Sequence, residues 1–197
     1  MRFLLLVAFT ILTTVISYAQ SWSPSQLDSA NTAKDIDQLS DVEKEAIMYL
    51  NLARLYPKQF AQTEAKDYAG AATMAAPKNS GYQRSLVNDL LKMKPIARLS
   101  FDNSVYAFAK CFAKESGDRG TVGHNRKKCA KPTGFFGECC SYGMKSGKDI
   151  VMQLLIDEGL KDLGHRTIIL NPAFSKVGLS VAPHKKWNTC TVIDFTN

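Results

Sequence analysis

The chain has 197 residues, with 25 Lys and Arg against 18 Asp and Glu and a formal net charge of +7. The length suits one domain of about 100–200 residues, burying roughly 70% of its unfolded surface, so the core need not depend on disulfides. The basic runs Arg126-Lys127-Lys128 with Lys131, and Lys185-Lys186, sit on no recognisable nucleic-acid motif; they read as solvated faces, which excludes nucleic acid as the expected partner.

In chain order, Met1-Arg2 is followed by the apolar run Phe3 to Ile16 and the small-residue site Ser17-Tyr18-Ala19. That is the pattern of a secretory signal peptide over 1–19, cleaved before Gln20. The run is short for a membrane span of about 20 apolar residues, so the mature chain is expected to be secreted or periplasmic, without a transmembrane segment. Residues 20–39 are polar and weakly periodic and read as a flexible N-terminal lead-in, leaving 40–197 as the domain.

Ser40-Asp41-Val42-Glu43 is a capping box. It opens a helix with Val42, Ala46, Leu50 and Ala53 on one stripe, flanked by Ile47 and ended by Pro57. Residues 62–82 read as a variable connection, and Leu86, Leu90 and Leu91 as a further helix. A second clear helix runs from about Asn103, buries Val105, Phe108, Ala109 and Phe112, and is ended by Gly117 and Gly120. A loop follows with Gly123-His124-Asn125, then Gly137-Glu138-Cys139-Cys140. Asp149 is a candidate N-cap for a helix with Ile150, Val151, Leu154 and Leu155 inward and Gly159 as its stop. Gly164-His165-Arg166 stands where this apolar helical run gives way to loop, and Asn171-Pro172 signals a turn. Val177 to Ala182 reads as a strand, Pro183 to Asn188 as a turn, and Cys190 to Phe195 as an antiparallel partner. Helices preceding short strands, without βαβ alternation, predict an α+β fold with a small antiparallel sheet.

Five cysteines in an exported chain suggest disulfides with one thiol left over. Adjacent Cα atoms lie about 3.8 Å apart, below the usual span of a bridge, so Cys139 and Cys140 are each expected to pair elsewhere. Cys129, Cys139, Cys140 and Cys190 are the disulfide candidates, and Cys111 is assigned as the buried free thiol. No Cys-x-x-Cys pair supports a zinc thiolate cluster.

Gly164-His165-Arg166, Pro172, Phe174 and Val177-Gly178 together resemble the signature of bacterial members of the CAP superfamily, which holds cysteine-rich secretory proteins, antigen 5 and pathogenesis-related proteins. Asn51 and Arg54 are similar to the Asn-x-x-Arg of the first CAP helix, and Leu99, Asp102 and Val105 to the residues before the next one. The resemblance spans roughly 41–195. It departs at Cys139, where the family's Gly-Glu-Asn has Asn.

The resemblance implies a three-layer α-β-α sandwich and a cleft lined by His124, Glu138 and His165. Asp157 or Glu158 is the fourth acid, and Arg166 either clamps an acid or caps the preceding helix carbonyls. His124, His165 and Glu138 are the ligand types that hold Zn²⁺ or another divalent metal. The function implied is an exported module, expected to be a monomer, that binds a lipid-like, glycan or peptide ligand with or without the metal. A metal-dependent hydrolase or peptidase using the same residues is the alternative, and a purely structural role for the polar cluster is a third. His184, in a basic turn, is expected to be exposed.

Overall fold

The computed structural model describes residues 22–70 and 80–197. The expected signal peptide 1–19 lies outside these residues, as does part of the expected connection 62–82.

The stretch expected as a flexible lead-in is instead folded. Helix α1 (Pro24–Ala30) starts on a capping box between Ser23 and Gln26 with proline at its first position. Ala30, Ala33 and Leu39 are buried, so a few small apolar residues suffice to dock a segment whose composition is otherwise polar.

Helix α2 (Asp41–Leu55) begins on the capping box Ser40/Glu43. Among the polar side chains it buries, Asn51 and Arg54 pin the chain around it. Asn51 Oδ1 accepts Leu99 N–H at 2.7 Å, and its Nδ2 donates to the carbonyls of Ala30 (2.9 Å) and Leu99 (3.0 Å). Arg54 is fully buried; burial lowers its pKa to about 10. Its guanidinium donates to the carbonyls of Ala97 (2.9 Å), Ile169 (2.7 Å), Asn171 (3.0 Å) and Phe174 (2.7 Å). A short helix α3 (Pro57–Phe60) runs into a single π-helical turn (Ala61–Ala65), and α4 (Gly81–Lys92) follows the undescribed stretch.

Among the described residues the sheet has four strands, β1 (Ser100–Phe101), β2 (Phe136–Tyr142), β3 (Lys176–His184) and β4 (Asn188–Thr196), in the order β1-β3-β4-β2. Two of these strands, β1 and β2, are not expected from the sequence. β3 and β4 form the expected antiparallel pair and β2 joins β4 antiparallel, whereas β1 pairs parallel with β3, making the sheet mixed. β2 carries Gly137 and Glu138 and is buried along almost its whole length, so it lacks the polar–apolar alternation that marks a half-exposed strand.

Helix α5 (Asn103–Arg119) covers one face of the sheet. Ala109, Phe112 and Ala113 pack there with Cys140, Cys190 and Val192. Helices α2, α4, α6 (Gly147–Ile156) and α7 (Gly164–Ile169) cover the other, against Cys139, Val177, Leu179, Ile193 and Phe195. This is the expected three-layer α-β-α arrangement. α5 lies almost on the β3 backbone: a Cβ on Gly178 would stand 2.1 Å from Tyr106 N, and one on Gly117 2.0 Å from Pro183 O. Gly117 is therefore a close-approach residue inside α5 and not its end; Gly120, at φ 63°, caps the helix in the left-handed conformation.

The disulfide expectation is corrected. Cys111, exposed on α5, is bonded to Cys129, while Cys139, Cys140 and Cys190 are free and buried. Consecutive strand residues face opposite sides of the sheet, so Cys139 enters the large core and Cys140 the α5 layer. His184 is also corrected: it is buried.

Candidate functional site

β2 is an edge strand, so loops from both helical layers can meet around it. The loop after α5 brings His124 from one side, and the first turn of α7 brings His165 from the other. Their ring centroids lie 6.5 Å apart, the planes inclined at 40°.

The α5 loop is fastened along its length. The Gly123 amide donates to Tyr142 Oη at 2.9 Å. The Glu115 carboxylate accepts the amides of Lys127, Lys128 and Cys129 at 2.8–3.3 Å, and the Cys111–Cys129 bridge ties the same segment to the helix. So held, His124 places Nδ1 2.7 Å from Glu138 Oε1.

Behind this pair lies a residue whose sequence context reads as a solvated basic run. The Arg126 side chain is 2% exposed. It donates through Nε to Glu138 Oε2 at 2.9 Å, with a second, short contact from Nη2, and through Nη2 to both oxygens of Asp194 at 3.0 and 2.9 Å. Nη1 donates to the carbonyls of Phe108 (3.0 Å) and Ala130 (2.8 Å), and the guanidinium stacks 4.5 Å above the Phe112 ring. Glu138 and Asp194 are register partners on β2 and β4. One guanidinium therefore serves two buried carboxylates, unequally. Burial drives Glu138 up, but the hydrogen bonds from His124 and Arg126 outweigh it and hold the carboxyl below its usual range. Burial dominates at Asp194, against the pull of Arg126 and with repulsion from Glu138 added, and lifts its pKa to about 7. The only sequence signal for Arg126 is its place between a candidate histidine and Glu138, and composition does not separate it from Lys127 and Lys128.

The second histidine is supported in the same way. α6 begins at the N-cap Ser146, whose hydroxyl accepts the amide of Asp149; the sequence pointed to Asp149 as the cap itself. Asp157, and not Gly159, ends α6, in the left-handed conformation at φ 59° that Asp tolerates better than most residues. The turn aims its buried carboxylate at the start of α7: Oδ1 lies 2.7 Å from His165 Nδ1, and Oδ2 accepts the amides of His165 (2.9 Å) and Arg166 (3.3 Å). Gly164-His165-Arg166 thus opens a helix, where the sequence placed the end of one. Leu163, just before it, is also at positive φ (51°), so backbone strain gathers where His165 is set.

Asp157 is therefore the acid that meets a histidine; Glu158, the other candidate, is exposed. Arg166 points away from the cleft. Its Nε and Nη2 donate to Leu155 O (2.7 Å) and Ile156 O (3.0 Å), capping α6, and Nη1 donates to Ser85 Oγ and Asp89 Oδ2, each at 2.9 Å.

A carboxylate oxygen only accepts, so each Nδ1 carries a hydrogen, and in the neutral imidazole Nε2 is the nitrogen left with a lone pair. A carboxylate holding Nδ1–H is the usual support behind a metal-ligating imidazole. His124, Glu138 and Cys140 also bring one donor atom each within 4.8 Å of one another. In that trio, however, His124 Nδ1 and Glu138 Oε1 are spent on each other, and Arg126 holds Oε2. Burial and the Glu138 charge push the Cys140 thiol well up, as burial does for Cys139, so neither cysteine is set up as a nucleophile.

A profile of the cysteine-rich secretory protein family matches residues 84–195, more than half of the chain. The chain belongs to the CAP family. Among solved structures, this CAP protein is similar to venom allergen-like protein 4 of Schistosoma mansoni, at 12% identity over 80% of this chain and 89% of that one, TM-score 0.49. It is similar to NaASP2, solved with Zn²⁺, at 17% identity over 81% and 82%, TM-score 0.45. It is also similar to an outer surface protein of Borrelia burgdorferi, at 17% identity over 51% and 77%, TM-score 0.42. No curated protein sequence matches it. No helix among the described residues is long and apolar enough to cross a membrane.

Proposed function

We propose that this protein is an exported CAP module whose cleft holds zinc or another divalent metal between His124 and His165 and presents it to a lipid-like, glycan or peptide ligand. One observation carries the proposal: two imidazoles from separate layers meet at one sheet edge, each with Nδ1 held by a buried carboxylate. Glu138 and Asp157 orient the rings, and His124, whose side chain is 50% exposed, faces solvent; a metal held there would supply a Lewis acid. The two rings stand side by side, with centroids 6.5 Å apart, and imidazole nitrogens are among the ligand types that would hold zinc. Export rests on the N-terminal apolar run and on the disulfide.

The hydrolase alternative needs a free carboxylate as base. Both acids are already committed, Glu138 to His124 and Arg126, Asp157 to His165 and two amides, which favours binding over turnover.

Titrating Zn²⁺ into the chelated protein tests this. At a hundredfold excess over Kd, linkage stabilises by about 2.7 kcal/mol, which raises Tm by roughly 5–10 °C for a chain of this size. His124→Ala and His165→Ala should each abolish the rise. An unchanged Tm in the wild type would end the metal proposal.

A further inference from the structure

A second surface lies outside the cleft, where the β3–β4 hairpin meets the start of the α5 loop. Trp187 at the hairpin tip is 51% exposed and Val122 in the loop 58% exposed, and Lys185 and Lys186 beside the tryptophan are exposed as well. Taken singly, neither exposed residue calls for an explanation; their setting beside the lysines does.

The buried imidazole of His184 fixes this display. Its Nδ1 accepts the amides of Lys186 (3.2 Å) and Trp187 (3.1 Å), so its Nε2–H donates to Thr121 O at 3.0 Å. The Lys185 amide donates to Gly117 O at 3.2 Å, and the Tyr142 ring packs edge-on against His184. The two exposed apolar residues thus belong to segments locked to one side chain.

The neighbouring charge is mainly basic. Asp118 is engaged by Lys114 at 2.6 Å, and the Glu115 carboxylate is turned inward onto three backbone amides. Lys127 and Lys128 are exposed and rim a hollow of about 500 Å³ that also includes the Cys111–Cys129 bridge. Glu115 is turned inward and Asp118, though exposed, is paired with Lys114, while Lys127, Lys128, Lys185 and Lys186 face out.

We propose that this end of the molecule docks on the surface of an anionic lipid bilayer. The lysines meet phosphate-bearing headgroups, and Trp187 and Val122 enter the interface. A soluble polyanion would use the lysines and gain nothing from the apolar pair; a bilayer interface takes both, since an indole has an apolar body with one polar N–H and lysine stems reach back to the headgroups.

The test sediments the full chain with phosphatidylcholine vesicles, with and without phosphatidylglycerol. The run Phe3 to Ile16 gives a salt-insensitive background, so the readout is the part of binding that requires phosphatidylglycerol and is released near 1 M NaCl, where the Debye length is about 3 Å. That part should be present in the wild type and fall about 25-fold in Lys185→Gln/Lys186→Gln, at about fivefold per lysine. Trp187→Ala should weaken it and remove a blue shift in tryptophan emission on binding. Lys185 and Lys186 are exposed, so Tm should not move in their double variant. The proposal is overturned by equal binding to both vesicle types, by binding unchanged in the variants, or by dextran sulfate competing fully with no Trp187 shift. Zinc binding in the same variants stays intact, which separates this outcome from that of the cleft.

Discussion

Arg126→Met is expected to destabilise the protein by about 3–5 kcal/mol at pH 7, because it leaves two carboxylates buried without their cation. The loss has a pH signature whose sign follows from the two acids. In the wild type Asp194 has a folded pKa of about 7, above the unfolded value near 3.9. Its contribution is therefore fully present at acid pH and is lost as pH rises from about 4 through 7. Glu138 is held below its usual range, so its contribution is present above that range and lost as the pH falls through its lowered pKa. Without the guanidinium both folded pKa values rise, and the variant loses stability more steeply with increasing pH. Urea denaturation should show the variant furthest below wild type near pH 7–8 and closer to it near pH 4. A deficit independent of pH would mean that Arg126 acts by packing on Phe112 alone.

The second large effect is at Arg54. Arg54→Met fills much of the same space but orphans carbonyls of Ala97, Ile169, Asn171 and Phe174. Each buried acceptor left unsatisfied costs about 1–3 kcal/mol, with some relief from water entry. An overall loss of about 3–5 kcal/mol is expected, measured by denaturation, and Arg54→Lys, with three rotatable donors in place of the planar fork, should recover only part of it. Because Arg54 grips Ile169 O at the end of α7, the Met variant should also weaken zinc binding through His165 at the other end of that helix. A neutral substitution would show that water or backbone shifts replace the guanidinium.

How much of the fold is legible in the sequence depends on whether the signal is local. Ser40 and Glu43 announce the start of α2 because a capping box is complete within four residues, and the stripes of α5 and α6 follow from spacing alone. The antiparallel β3–β4 pair is legible for the same reason. β2 is not: a strand buried on both faces has no alternation, and Gly137-Glu138 looks like loop. The convergence of His124, Glu138 and His165 comes from the family motifs, since nothing in their spacing brings them together. Arg126, Asp194 and His184 escape a reading of the sequence because the burial of a charged or polar side chain is decided by distant partners. For Arg126 these are Glu138 and Asp194; for His184, the carbonyl of Thr121. Cys111 misleads on the same ground: lying next to an apolar stripe is not lying in it, and its exposed position is what lets it reach Cys129.

In the proposed site two imidazoles, and no sulfur, share one cation at the edge of β2. X-ray absorption at the zinc edge of the zinc-loaded protein tests it most directly. The predicted result is one zinc per chain, with a first shell of imidazole nitrogens at about 2.0–2.1 Å plus oxygen, unchanged in Cys140→Ser. A scatterer at about 2.3 Å that disappears in Cys140→Ser would move the metal to the His124, Glu138 and Cys140 trio and contradict the assignment.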